Sequence, residues 1–144
     1  MGSISYFTEQ TSFRFPKKRL VSAWIRNVIV AESDILVQLN IIFCSDEHLL
    51  KINREYLQHD YLTDIITFDQ SEEPRAVEGD IFISVDRVRE NAKLYAATFL
   101  HELHRVIIHG VLHLCGYKDH TDEDRHQMRE KEDFYLIGLK LNND

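Results

Sequence analysis

Residues 109–120 read HGVLHLCGYKDH and contain three of the eight histidines of this 144-residue chain. His109 and His113 are four residues apart, so on a helix both imidazoles project from the same face. We expect this helix to end at Gly116, because glycine adopts the left-handed conformation that closes many helices. The short loop YKD that follows can turn His120 back towards the pair. The spacing therefore predicts a helix that carries two histidines and a loop that returns the third.

The three histidines are candidate metal ligands. Three protein ligands with one open position are typical of catalytic zinc, whereas structural zinc sites usually have four protein ligands. An all-imidazole set favours one zinc ion per chain, although nickel and copper also accept it. The alternative is that the histidines are simply exposed to solvent.

Gly110 occupies the position at which zinc peptidases of the HExxH type carry a catalytic glutamate. The peptidase mechanism is therefore not encoded, and we expect the missing side chain to leave space open beside the metal. A metal-bound water whose pKa is lowered to about 7 could still act as the nucleophile without that glutamate.

The length and composition are those of one soluble domain over residues 1–144, with 44% hydrophobic residues. No apolar run is long enough to span a bilayer, and the N-terminus lacks the pattern of a signal peptide. We therefore expect a cytoplasmic protein with no membrane partner. Two cysteines, Cys44 and Cys115, are too few for a disulfide framework and are expected to be core residues rather than disulfide partners or ligands.

The charge is unevenly distributed. Residues 1–30 hold five basic residues and the single acid Glu9, a net charge of +4. Because the whole chain has a net charge of −7, residues 31–144 carry −11. A negative protein is not expected to bind nucleic acid indiscriminately, because such binding depends on Lys and Arg. The basic N-terminal segment either contacts a polyanion or is simply a solvated helix face.

Hydrophobic periodicity predicts strands mainly in the first half of the chain and helices mainly in the second. This order favours an α+β fold in which helices pack on a single mixed sheet. Ser45, Ser84 and Thr121 are candidate N-terminal caps. The predicted strands cover residues 3–8, 36–44, 65–68 and 80–84, and the predicted helices cover residues 17–32, 46–56, 85–95, 98–115 and a final segment after residue 121.

Residues 109–120 resemble the signature of the YbeY family, His-Gly-x-Leu-His-Leu-x-Gly-Tyr-Asp-His. Lys118 is one additional residue in this pattern, in the turn after the glycine. Upstream, INREYLQHDYLTDIITFD resembles the family's Leu-Asn-x-x-Tyr-Arg-x-x-Asp-x-Pro-Thr-Asp-Val-Leu-Ser-Phe-Pro, and GDIFIS resembles its Gly-Asp-Ile strand. The three matches include most of residues 50–122. The residues that agree are Asn53, Tyr56, Asp60, Thr63, Asp64, Phe68, Gly79, His109, Gly110, Leu112, His113, Leu114, Gly116, Tyr117, Asp119 and His120.

The resemblance implies a single-domain, metal-dependent endoribonuclease with an α+β fold related to the zinc hydrolases. It further implies one zinc ion on His109, His113 and His120, and cleavage of single-stranded RNA, chiefly at the end of the small-subunit ribosomal RNA. The implied partners are ribosomal RNA and the ribosome or its proteins, in ribosome assembly and quality control. No DNA partner is expected.

One departure from the family concerns catalysis. The family's arginine after the tyrosine is Leu57 here, although phosphoryl chemistry requires a cation where negative charge develops. Arg54 is one helical turn earlier and either reaches the same space or is a solvated surface residue. Asp64, at the start of a predicted strand, either positions water or a ligand histidine or caps a turn. Arg54 and Asp64 are therefore the candidate catalytic residues.

Two other hypotheses stay open at this stage. The protein could be a ribosome-assembly factor in which zinc is structural and catalysis is weak, which Leu57 favours, or a hydrolase of a different ester or amide. Glu102 and Arg105 lie on the histidine stripe and are expected to form a surface ion pair, with a role in orienting ligands as the alternative.

Overall fold

The fold is built on one four-stranded mixed sheet, and the computed structural model describes residues 2–142, with side chains to residue 139. The strand order is β1-β2-β4-β3, in which β1, β2 and β4 are parallel and β3 is antiparallel to β4. The predicted α+β class with a single mixed sheet is confirmed. The elements are β1 (Ser3–Glu9), α1 (Lys18–Ala31), β2 (Ile35–Cys44), α2 (Asp46–Leu57), β3 (Ile65–Asp69), β4 (Ala76–Ser84), α3 (Val85–Leu94), α4 (Phe99–Leu114) and α5 (Asp122–Asn142).

Side-chain caps fix the starts of several helices. The hydroxyl oxygens of Ser45 and Ser84 accept hydrogen bonds from the backbone three residues later, at the starts of α2 and α3. Thr121 accepts in the same way from the backbone N–H of Asp124 at the start of α5. These three predicted caps are confirmed, and each satisfies a backbone donor that the first turn of a helix leaves without a partner.

Strand β4 is longer than predicted. It begins at Ala76 instead of residue 80, because the end of the polar loop pairs with the first residues of β2, starting at Ile35. Backbone pairing with a central strand thus extends a segment whose side chains alone do not indicate a strand.

Two apolar cores lie on the sheet. The larger core joins the buried faces of α1, α3, α4 and α5 to β2 and β4, and the smaller one includes Leu49 and Ile52 of α2 with Cys44 and Ile66. Helix α4 contributes nine buried residues and contacts both β3 and β4, so it lies directly on the sheet. This packing fixes the position of α4 and therefore of the side chains on its opposite face.

Gly110 is buried where α4 approaches the sheet. A Cβ atom at this position would lie 2.7 Å from Cδ1 of Ile65 and 3.0 Å from Cδ1 of Ile81. The expectation that Gly110 leaves space open beside a metal is therefore wrong. The missing side chain instead permits the close approach of helix and sheet.

Both cysteines are free, with Cys44 buried and Cys115 partly buried, in agreement with their expected core role. Among residues 2–142, no helix has the length and apolar character required to cross a membrane.

Candidate metal centre

Helix α4 brings two histidines together, as the four-residue spacing predicts. The Nε2 atoms of His109 and His113 are 3.0 Å apart, and the ring centroids are 4.5 Å apart. Both side chains are about three-quarters buried, with 23% and 22% of their surfaces exposed. The two imidazoles therefore present their Nε2 atoms to one point at the edge of the core.

The loop after α4 contributes a carboxylate to the same point. Gly116 closes the helix with a φ of 108°, as predicted, and the Tyr117 backbone N–H donates to the carbonyl of Leu112. Oδ2 of Asp119 lies 3.2 Å from Nε2 of His113 and 3.5 Å from Nε2 of His109.

The ligand atoms of His109, His113 and Asp119 all lie within 4.8 Å of one another and could hold a metal ion. Within the described residues, His120 does not belong to this group. It is exposed, and its carbonyl accepts a hydrogen bond from Arg125. The structure thus brings together two of the three histidines that the sequence predicts as ligands.

A buried glutamate orients His109. Nδ1 of His109 donates to Oε2 of Glu132 on α5 over 2.7 Å, and Glu132 is only 4% exposed. The other carboxylate oxygen of Glu132 accepts from Arg105 at 2.9 Å. Burial lowers the pKa of His109, but the hydrogen bond and charge of Glu132 outweigh it, so the pKa is raised. A carboxylate on Nδ1 is the usual partner of a metal-ligating histidine, because it leaves Nε2 free for the ion.

A backbone carbonyl orients His113. Nδ1 of His113 donates to the carbonyl oxygen of Tyr117 over 2.9 Å. The Tyr117 hydroxyl in turn donates to Oε1 of Glu32 over 2.6 Å. Glu32 also accepts from Tyr135 and Lys131 of α5. Burial raises the pKa of Glu32, but these three donors outweigh it and lower the pKa. Glu32 therefore anchors the loop that holds His113 in its orientation.

Asp64 lies in the same cavity as His109, a space of about 330 Å³. Its carboxylate accepts from Nδ2 of Asn91 at 3.3 Å. Burial raises the pKa of Asp64, and the neighbouring charge of His109 opposes the shift. The structure thus places one of the two predicted catalytic residues beside the histidine pair.

Arg54, the other predicted catalytic residue, lies elsewhere. It is exposed on α2, its guanidinium binds Asp60, and it does not line the cavity around His109. The basic residues Lys18, Arg19 and Arg26 of α1 line a separate surface cavity beside β1. Neither group is brought to the histidine pair.

Arginines of α4 and α5 line the cavity instead, namely Arg105, Arg125 and Arg129. Arg105 binds Glu132 and Asp133, and Arg125 binds Asp122 and the backbone of the loop. Arg129 is exposed, and in residues 2–142 no hydrogen bond or ion pair engages its guanidinium. The four-residue spacing of Arg125 and Arg129 on a predicted helix was the available signal for this basic stripe.

The predicted surface ion pair of Glu102 and Arg105 is wrong. Glu102 is buried, at 5% exposure, and Arg105 pairs with Glu132 and Asp133 of α5. The reason is tertiary, because α5 packs across this face of α4 and supplies better-placed carboxylates. Burial is the largest cause of the raised pKa of Glu102, followed by the charge of Asp64.

Known proteins resemble this chain over nearly its full length. The family model described as Endoribonuclease YbeY matches residues 5–140. Endoribonuclease YbeY of Cytophaga hutchinsonii is 50% identical over 96% of this chain and 97% of its own length. Endoribonuclease YbeY of Amoebophilus asiaticus is 48% identical over 99% of this chain and 97% of its own length.

One solved structure has the same fold. The solution structure of TM1509 from Thermotoga maritima superposes with a TM-score of 0.67 at 29% identity, covering 95% of this chain and 89% of that one. Sequence and structure agree with the resemblance carried by residues 109–120, and the chain belongs to the endoribonuclease YbeY family.

Proposed function

We propose that this protein is a zinc-dependent endoribonuclease that cleaves single-stranded RNA in the maturation of ribosomal RNA. The observation that carries the proposal is the convergence of electron-pair donors at the end of α4. The Nδ1–H groups of His109 and His113 both point to acceptors, so each ring turns the lone pair of Nε2 towards the other. Asp119 adds a third acceptor oxygen. A bound cation would stabilise these three converging electron-pair donors.

The donor set fits zinc, which binds imidazole nitrogen and carboxylate oxygen. His109 and His113 would supply two ligands, and a divalent ion there would supply Lewis-acid charge beside a phosphate and make water easier to deprotonate. Three ligand side chains among the described residues leave a coordination position open, which favours catalysis over a purely structural ion.

Asp64 would position the attacking water. Its carboxylate lies in the cavity with His109 and is held by Asn91, while burial raises its pKa and makes it a better proton acceptor. The alternative is that Asp64 only shapes the start of β3. In that case Asp64→Asn should change the stability of the protein but not its rate of cleavage.

Arg129 would bind the RNA backbone at this site. It lines the cavity, is exposed, and has no hydrogen bond or ion pair on its guanidinium in the described part of the chain. A free cation here can neutralise phosphate charge that Leu57 cannot. Arg54, which binds Asp60, stays a second prediction for this role.

The relatives bear the name endoribonuclease, which supports RNA as the substrate. Ribosomal RNA as the substrate, contact with ribosomal proteins, a role in ribosome quality control and action in the cytoplasm belong to the proposal through the family resemblance. The overall charge of −7 suits contact with basic ribosomal proteins.

A ribosome-assembly factor with little catalysis is the second candidate. Leu57 favours it, since this half-exposed leucine stands where the family has an arginine. The two functions differ in what loss of the ion would do, because a structural ion is needed for folding and a catalytic ion for cleavage.

The test is cleavage of a labelled single-stranded RNA by zinc-loaded protein, beside a His113→Ala variant purified identically. Controls are His126→Ala, which removes an exposed histidine paired with Glu130, and the same sequence as single-stranded DNA. We expect cleavage of RNA by the parent and by His126→Ala, no cleavage of the DNA, and none by His113→Ala.

Equal cleavage by the parent and His113→Ala would identify a contaminating nuclease and end the proposal. Bound zinc with no cleavage in the parent would favour the assembly factor.

A further inference from the structure

We infer that Asp119, and not His120, is the third metal ligand of this chain, so that the site is built from two histidines and one aspartate. The inference rests on the proposed function only in assuming that the site binds a metal ion. It replaces the three-histidine ligand set that the family pattern implies with one that contains a carboxylate.

The spacing of the three ligand atoms is the first support. The two Nε2 atoms and Oδ2 of Asp119 form a triangle with sides of 3.0, 3.2 and 3.5 Å. Around a tetrahedral ion with metal–ligand distances of about 2.0 to 2.1 Å, neighbouring ligand atoms are about 3.3 Å apart. The triangle therefore matches one face of a tetrahedral site.

The charge of Asp119 is the second support. Among the described residues its carboxylate approaches only the two histidines, and Arg125 contacts its backbone carbonyl instead of its side chain. The imidazoles turn their lone pairs towards this carboxylate, because both Nδ1–H groups are donated elsewhere. Two imidazole lone pairs and a carboxylate that face one another repel unless a cation, either a metal ion or a proton, lies between them. A bound cation removes this repulsion.

The position of Asp119 in the sequence is the third support. In the family pattern, the third histidine follows the first by ten residues. In this chain the residue ten positions after His109 is Asp119, and His120 is one position further on. Lys118 is therefore a replacement within a loop of unchanged length, and Asp119 occupies the place of the third ligand.

The loop has little freedom to exchange these two residues. At its first end the loop is fixed by the hydrogen bonds of Tyr117 to Leu112 and Glu32, and at its last end by the Thr121 cap of α5. Arg125 additionally holds the carbonyls of Asp119 and His120. The fixed ends present Asp119 to the histidines and leave His120 exposed.

A carboxylate ligand changes which ions the site accepts. Oxygen donors suit manganese better than an all-imidazole set does, and the negative charge lowers the net charge of the loaded site. We therefore expect manganese to compete with zinc more effectively in this protein than in an Asp119→His variant.

The experiment measures metal binding without reference to RNA. Metal-free protein and the variants Asp119→Ala, Asp119→His and His120→Ala are titrated with zinc against a chromophoric chelator, and the visible spectrum of each cobalt-loaded protein is recorded. We expect Asp119→Ala to weaken zinc binding by more than about 100-fold, since changes behind a ligand already cost about 10- to 100-fold. Asp119→His should retain zinc but lose manganese competition, and His120→Ala should match the parent in affinity and cobalt spectrum.

Loss of zinc binding in His120→Ala, with or without loss in Asp119→Ala, would overturn the inference. Circular dichroism of the metal-free proteins separates ligand loss from misfolding. Asp119→His tests residue 119 as a ligand position while keeping an atom there that can bind the metal. If the ligand pattern is as expected but the parent does not cleave RNA, the inference holds and the proposed function fails.

Discussion

Helix α4 and the loop that follows it hold the same site by different means. His109 and His113 are fixed by the period of a helix that is itself packed on β3 and β4. Asp119 is fixed by hydrogen bonds that tie the loop to Leu112 and Glu32. The pairing of the two helical histidines could therefore be predicted from their spacing alone, whereas the position of Asp119 depends on contacts with distant parts of the chain.

The two histidines also differ in what holds them. His109 donates to a buried, charged glutamate that is itself bound to Arg105, and His113 donates to a neutral backbone carbonyl. Hydrogen bonds to charged groups are the stronger kind, so Glu132 both fixes the ring of His109 and increases its ability to donate to an ion. One substitution can remove this support from His109. The carbonyl that holds His113 can be moved only by loosening the loop.

The largest expected effect comes from removing one of the two proposed metal ligands on α4. His109→Ala should abolish stoichiometric zinc binding, because only two of the three converging side chains would be left. Zinc content after dialysis, measured by atomic emission, checks this. His101→Ala, which changes an exposed histidine of the same helix, is the control, and retention of zinc by His109→Ala would contradict the assignment.

Removing the charge behind His109 should have the next largest effect. Glu132→Gln keeps the size of the side chain but replaces a carboxylate that holds both His109 and Arg105. We expect zinc affinity to fall by about 10- to 100-fold. A competition titration measures it, with Glu130→Gln, a change two residues away at an exposed glutamate that pairs with His126, as the control. An unchanged affinity would mean that Glu132 has only a packing role.

Loosening the loop should have a smaller effect. Tyr117→Phe removes the hydroxyl that donates to Glu32, which leaves Tyr135 and Lys131 on that carboxylate. The free energy of unfolding should fall by about 1.5 kcal/mol, the lower value for a hydrogen bond to a charged group. Urea unfolding of metal-free protein measures it, with the exposed Tyr56→Phe as the control. A loss no greater than that of the control would show that the anchor does not hold the loop.

The smallest expected effect concerns a histidine of α4 that is outside the site. Burial against Trp24 lowers the pKa of His104 to about 4, and the nearby charges of His101 and Lys17 add to the shift. The folded protein therefore binds this proton less readily than the unfolded chain. Through His104, the free energy of unfolding does not change well above pH 6.5 and falls as the pH is lowered towards 4.

His104→Gln should remove about 1 kcal/mol of the decrease in unfolding free energy between pH 7 and pH 5.5. Urea unfolding at the two pH values measures the difference, and His126→Gln, at an exposed position, is the control. The same decrease in the parent and in His104→Gln would show that burial of His104 does not contribute.

The sequence was sufficient to predict features that depend on the spacing of nearby residues. The α+β class, the helix caps and the facing of His109 and His113 follow from residues within a few positions of one another. The partners of Arg105 and His109 could not be predicted in this way, because Glu132 lies on another helix, 27 and 23 residues further along the chain.

The loop after α4 shows most clearly what could not be predicted from the sequence. Matching residues by identity makes Lys118 an insertion and His120 the ligand, whereas the hydrogen bonds of the folded loop favour Asp119. A helix has a fixed rise per residue and a loop does not, so identity within a loop is a weaker guide to position than the contacts at its ends.

Cleavage by this protein should depend on an ion held by the histidine pair of α4. The most direct measurement is the initial rate of cleavage of a single-stranded RNA as chelator-stripped protein is titrated with zinc, with bound zinc measured in the same samples. We expect the rate to rise in proportion to bound zinc and to reach its plateau at one ion per chain. A rate that is already maximal without zinc, or that stays at zero at full occupancy, would contradict it.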